Sequence, residues 1–144
     1  MKFPQAIKVY GDKTFRGKCP KELAEQRTAI KTIRELWPTT IGKLVVHPRN
    51  EGKRDYRQHI REYLDGLTAG ASDIIIPGSP SLVIELKRQD HTQSRLSDNE
   101  LAYLLAAKSA GSYAVIALGW EAAIEAVDDL LCYEEYVEDD DTLM

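Results

Sequence analysis

The chain of 144 residues is short of several features that would assign it to whole classes of protein. It has only two cysteines, Cys19 and Cys132, near opposite ends and without metal-ligand spacing, so reduced thiols are expected rather than a disulfide framework or a zinc site. No apolar run approaches the roughly 20 residues of a membrane-spanning helix. The start, M-K-F-P-Q, has none of the apolar character of a signal peptide. A cytoplasmic protein without membrane association is therefore expected. Cationic excess is missing too: the formal net charge of −4 argues against a protein that coats nucleic acid through its overall charge. The acids crowd into residues 134–141, however, while residues 49–61 are rich in Arg, Lys and His, so a local basic face can still meet phosphate. There is no internal repeat. The remaining composition is that of one globular domain, long enough to bury a core.

What the chain does have is concentrated in residues 71–88, A-S-D-I-I-I-P-G-S-P-S-L-V-I-E-L-K-R. Two β-branched apolar runs flank a Pro/Gly/Ser turn, which predicts a β-hairpin. Side chains alternate along a strand, so Asp73 shares a face with Ile75, and Val83, Glu85 and Lys87 share a face on the second strand. Unpaired buried charges cost several kcal/mol. Two readings account for these charges. One is a sheet edge whose Glu–Lys pair guards against aggregation. The other is a site for a hard cation, Mg²⁺ or Mn²⁺, held by the Asp73 and Glu85 carboxylates with Lys87 beside it.

The spacing of Asp73, Glu85 and Lys87 resembles the D…E-x-K signature of the PD-(D/E)XK nuclease superfamily. More narrowly, G-x-x-D at 70–73, I-E-L-K-R at 84–88 and Leu96-Ser97 resemble the VRR-NUC (virus-type replication-repair nuclease) group in its standalone phage or bacterial form. The resemblance extends upstream to Glu22-x-x-x-Gln26 and to H-P-R-N-E-G-K-R at 47–54, and downstream to G-W-E-A at 119–122. It implies a restriction-endonuclease-like α/β core, a mixed β-sheet flanked by helices. The implied activity is metal-dependent hydrolysis of DNA phosphodiester bonds, structure-selective and Holliday junction resolvase-like, by a homodimer without organic cofactor. If the gene is phage-borne, the compartment is the host cytoplasm.

In that resemblance Asp73, Glu85, the Leu86 carbonyl and an acid on the first helix hold the metal, and Lys87 helps position a water. The E-x-x-x-Q match points to Glu22 for the helix acid, with Glu25 as competitor and Gln26 as an accessory group. Related proteins carry an Asn-Gly-Gly-like loop at the DNA, where this chain has Asn50-Glu51-Gly52. Asn50, Lys53, Arg54, Arg57 and Arg88 are the candidate DNA-binding residues. Alternatives are a nuclease on linear, nicked or flapped DNA, or a non-catalytic DNA- or partner-binding module that keeps the fold.

The rest of the chain divides into an arm (1–18), the nuclease-like domain (19–133) and an acidic tail (134–144) expected to be disordered. A strand is expected near 7–10. A first helix from Pro20 to Leu36 is closed by Pro38, with Glu22, Gln26, Ile30, Ile33 and Trp37 on its inward stripe. A short strand is expected at 43–47 and a helix at 55–64, stopped by Gly66. His47 and His59 lack partners at ligand spacing. His91 lies in a polar loop and is expected to be exposed. Ser97 and Glu100 have the form of a capping box, although Glu100 stands where the family usually has Gln, so a cap and a further acid near the metal are both open. A helix to Gly111, an apolar central strand at 112–118 and an amphipathic helix at 120–131 complete the expectation.

Overall fold

The computed structural model describes the backbone of residues 1–48 and 55–142, with side chains described up to 132. Four strands form one sheet in the order β1 (Lys8–Tyr10), β4 (Tyr113–Leu118), β3 (Leu82–Lys87), β2 (Ile74–Ile76). β4 runs parallel to both β1 and β3, and β2 is antiparallel to β3. The sheet is therefore mixed, and helices flank it, as expected of a restriction-endonuclease-like core. β4 occupies the interior, which suits a strand whose every residue from Ala114 to Leu118 is buried.

The two faces carry different cores. Ile84, Leu86, Val115 and Ala117 join Ala29 and Ile33 of α1 (Glu22–Leu36) and Ala123, Ala126 and Val127 of α4 (Trp120–Thr142). On the other face Val83, Ala114, Ile116 and Leu118 meet Leu104 of α3 (Asp98–Ser109). Leu104 is the one buried residue of α3, and full burial of such a side chain contributes roughly 1.5–3 kcal/mol. Tyr103 and Ala107, partly buried, pack beside it. Glu85 and Lys87 follow Val83 at two-residue intervals, so they too point towards the α3 side.

Several local expectations are corrected. The inward stripe of α1 is turned by about one residue: Glu25, Gln26, Ala29 and Ile33 are buried, whereas the Glu22 side chain is 43% exposed. Residues 43–47 do not make a strand. Ile41–Lys43 is a 3₁₀ turn, and only Val46 pairs with the sheet, through a bridge to Ile75. α2 (Tyr56–Leu64) begins after Asp55, whose side chain accepts from the Gln58 N–H at 2.8 Å. His91 is buried rather than exposed, edge-on to Phe3 at 4.7 Å, with Nε2 donating to the Lys13 carbonyl. α4 continues past Leu131 to Thr142, so its backbone is helical through most of the acidic segment.

The first twenty residues are tied to the turn after β3. Asp90 accepts from Gly17 N–H at 3.0 Å, Gln93 Nε2 donates to the Gly17 carbonyl, and the Arg88 guanidinium donates to the carbonyls of Cys19 and Pro20. These bonds hold Asp90 well below the usual carboxylate range, the Thr92 hydroxyl contributing most and the Gly17 N–H next.

Candidate active site

The hairpin register places the first two carboxyls. Ile74 pairs with Ile84 and Ile76 with Leu82, so one step further Asp73 stands opposite Glu85. Asp73 Oδ2 accepts from the Leu86 N–H at 2.8 Å, and its carbonyl accepts from His47 Nδ1 at 2.6 Å. The Val46–Ile75 bridge is what brings His47 there. Before the hairpin the chain passes α3 so closely that a Cβ on Gly70 would lie 2.3 Å from the carbonyl of Asn99, and Gly70 has φ +75°. Only glycine fits there.

Lys87 is 2% exposed. Its ammonium donates to the Arg95 carbonyl at 2.6 Å and to Glu100 Oε2 at 2.8 Å, with Glu85 Oε1 at 3.5 Å and Glu22 Oε1 at 4.0 Å. Glu100 is a cap and also a partner of Lys87. Its Oε1 accepts from the Ser97 N–H while Ser97 Oγ accepts from the Glu100 N–H, a complete capping box, and its Oε2 holds Lys87. Glu22 accepts from Ser94 Oγ at 2.8 Å at the rim.

Three carboxyls thus lie within 4.0 Å of one ammonium, with Asp73 opposite Glu85, and the imbalance shows in the titration of Glu85, Asp73 and Glu100. Burial, then the neighbouring Glu100 and Asp73 carboxylates, push Glu85 up to about 12. Burial also raises Asp73, against the opposing contacts of Glu85, the Leu86 N–H and Lys87. At Glu100 burial acts in the same upward direction, but the Glu85 carboxyl and the hydrogen bond from Lys87 outweigh it and bring the group down to about 2. Burial pulls Lys87 down, yet its hydrogen bond to Glu100 and the charges of Glu85 and Glu22 leave it raised.

Glu85 Oε2 is buried with no hydrogen-bond partner among the described residues. An orphaned, desolvated carboxyl oxygen beside a second carboxyl fits a hard divalent cation. Among the described residues no group of three or more His, Cys, Asp or Glu side chains is set to hold a metal ion. A carboxylate pair is nonetheless the usual protein share of a Mg²⁺ site, the rest being water and substrate phosphate. The groups open into a cleft of about 710 Å³ whose walls include Lys21, His47, His59, Arg95 and Asn99.

Of the other residues singled out from sequence, Arg88 lines the cleft but its guanidinium is bound to the Cys19 and Pro20 carbonyls. Arg57 is exposed on α2. Gln26 is buried in α1 and does not line the cleft, and Leu86 sends its side chain into the core. Asn50, Lys53 and Arg54 lie outside the described residues. Ser94 and Arg95 were missed. Their only sequence signal was a place just before Leu96-Ser97.

Glu25, the competitor of Glu22, is 1% exposed and faces away from Lys87. Its Oε1 accepts from Gln89 Nε2 at 2.9 Å and its Oε2 from the Trp120 N–H at 2.6 Å, so it caps α4 from across the core. Gly119, at φ +94°, makes this approach possible, since a Cβ there would meet Gln89 Cγ at 2.7 Å. Glu25→Ala is expected to cost about 2–4 kcal/mol of stability by leaving buried donors unpaired. Glu22→Ala, at the half-exposed rim, is expected to change stability little. Urea unfolding of both variants checks this, and the reverse pattern would mean that Glu25 is not the cap of α4.

No family model matches the sequence, and no curated protein matches it. Among solved structures, the chain is similar to a protein described as "VRR_NUC domain protein", with a TM-score of 0.62 and 18% identity, over 80% of this chain and 89% of that one. At that identity the likeness is one of fold. In addition, no helix among the described residues is long and apolar enough to cross a membrane.

Proposed function

We propose that this chain is a Mg²⁺- or Mn²⁺-dependent endonuclease that hydrolyses DNA phosphodiester bonds. The observation that carries the reading is the carboxyl pair of half-buried Asp73 and buried Glu85, with the orphaned Glu85 Oε2, set beside a fixed lysine in an open cleft. The fold likeness to a protein described as a VRR_NUC domain protein supports it.

Asp73 and Glu85 would hold the cation, with the Leu86 carbonyl and Glu22 as further donors. A bound divalent cation lowers the pKa of a water and offsets charge on the attacked phosphate. The chain's own residues prepare that chemistry. The Leu86 N–H fixes the Asp73 carboxylate, and the hairpin register aims Glu85 at the same point. Arg95 and Glu100 hold the Lys87 ammonium rigidly, so its charge stands where negative charge grows on the phosphorane and its nearest water is oriented for in-line attack. Glu22, tethered by Ser94, closes the rim on the α1 side. The expected product carries a 5′-phosphate.

The working unit is a homodimer, because a four-way junction has two-fold symmetry and each chain offers one such cleft. Cleavage of a synthetic four-way junction, a linear duplex and a flap in Mg²⁺ or Mn²⁺ tests this. Paired symmetric cuts in the junction alone support a dimeric resolvase. Cuts in all three keep the nuclease and remove the resolvase, and no cutting in either metal favours a binding module with a nuclease fold.

A further inference from the structure

Helix α2 is built the wrong way round for a helix that packs on a core. Tyr56, Ile60, Tyr63 and Leu64 fall on one stripe at 3.6 residues per turn. Their exposures are nevertheless 80%, 43%, 73% and 75%, and no residue of α2 is buried. The half-buried position belongs to Glu62, whose Oε1 accepts from Gln58 Nε2 at 3.2 Å. Burial of an apolar stripe is what ordinarily stabilises so short a helix. Among the described residues, this stripe meets no partner.

The chemistry beside the stripe identifies what covers it. Arg57 and Arg61 flank it, both exposed, and neither makes a hydrogen bond or ion pair among the described residues through its guanidinium. Tyrosine rings standing in water beside unpaired guanidinium groups match a single-stranded nucleic acid, which offers bases to the rings and phosphates to the cations. A second copy of the chain is the other occupant that an apolar stripe invites, since α2 and its caps also carry Asp55, Glu62 and Asp65, and single-strand affinity measured beside oligomeric state separates the two. Position favours the strand: the apolar groove along α2, about 320 Å³, shares His59 and Ala69 with the carboxylate cleft. A strand lying on α2 runs on into the cleft.

We propose that the outer face of α2 is a stacking platform for the unpaired bases of a strand entering the cleft, with Tyr56 and Tyr63 as the stacking rings and Arg57 and Arg61 on the phosphates. The inference rests on the nuclease reading for the purpose of the strand, but its test does not need cleavage. Affinities for a single-stranded oligonucleotide and for a blunt duplex of the same sequence are measured by fluorescence anisotropy. The full chain is used in EDTA, so that no strand is cut.

Tyr56→Ala and Tyr63→Ala are each expected to weaken single-strand binding by roughly 5- to 150-fold, the range for loss of one stacked base. Tyr56→Phe and Tyr63→Phe keep the ring and should retain affinity, and duplex binding should be unchanged. These residues are exposed, so folding should be unaffected, which circular dichroism checks. Wild-type affinity in both alanine variants overturns the proposal. So does a result in which Tyr63→Ala turns a dimer into a monomer without altering single-strand affinity, because the face would then be an interface between copies. If the tyrosines carry single-strand binding while no substrate is cut in either metal, the cleft reading fails and the platform stands. If junctions are cut and the tyrosines do not matter, the opposite holds.

Discussion

Lys87→Ala is expected to reduce metal-dependent cleavage by about a thousandfold or more, the scale of removing a fixed charge from a transition state together with the order it imposes. Among the described residues no other cation is held beside Glu85. Arg88 is bound to backbone carbonyls of the arm, and the Arg95 side chain is exposed while its carbonyl serves Lys87. The same change should also destabilise the metal-free protein, since Glu100 would lose the cation that holds its carboxylate ionised in a half-buried place. Breaking such a pair from one side costs roughly 3–5 kcal/mol. Lys87→Met, which preserves the packing of the aliphatic stem, separates the two effects: cleavage should stay lost while part of the stability returns. Single-turnover cleavage and urea unfolding, run side by side with and without Mn²⁺, make the measurement. Cleavage by Lys87→Ala at the wild-type rate would sink the assignment of this cleft.

The second large effect concerns pH and metal together. Glu85 is raised to about 12 in the folded state, from an ordinary value of 4.5. A carboxyl raised on folding stays protonated in the folded chain while the unfolded chain ionises. Its contribution is therefore present below pH 4.5 and is lost progressively as pH rises towards the folded value. Asp73 shifts in the same direction. Glu100 has the opposite sign and loses its contribution only as pH falls from 4.5 towards 2, outside the neutral range. Between pH 5 and 8 the metal-free protein should thus lose stability with rising pH, by up to about 1.4 kcal/mol per pH unit for each extra proton that the folded state holds.

Glu85→Gln carries no such proton, so its profile should be flatter and its metal-free stability at pH 8 higher than that of the wild type. Mn²⁺ should reverse the order, stabilising the wild type as pH rises and leaving the variant unmoved. Thermal unfolding across that range in EDTA and in Mn²⁺ reads all four curves. Coincident wild-type and Glu85→Gln profiles in EDTA would mean that Glu85 is not the strained group.

What could be seen in the sequence was the part written in local chemistry. The Pro/Gly/Ser turn between two β-branched runs gave the hairpin, and Ser97 with Glu100 gave the cap, because both depend on residues a few positions apart. Strand alternation was enough to put Val83, Glu85 and Lys87 on one face. The burial of Glu25 was not legible, since its partners Gln89 and Trp120 arrive from distant segments and the helical pattern of α1 allowed either of two neighbouring stripes. Residues 43–47 looked like a strand because an apolar run of that length has no decisive period. The exposed stripe of α2 has the spacing of a core face, and only the fold shows that nothing in the described chain covers it.

β4 has a consequence for the order in which this molecule assembles. It lies between β1 and β3, yet it is the last strand to be made, and its parallel partner β1 lies about a hundred residues earlier in the chain. On the ribosome β3 emerges with Glu85 and Lys87 on a strand whose central neighbour does not yet exist. β1 waits unpaired while the roughly one hundred residues up to β4 are made. Sheet closure by such long-range parallel pairs is slow. The carboxyl cluster therefore reaches its desolvated, proton-holding state late, when β4 docks and the α4 that follows it finds Glu25. A nascent chain stopped before residue 113 should carry the hairpin without the site.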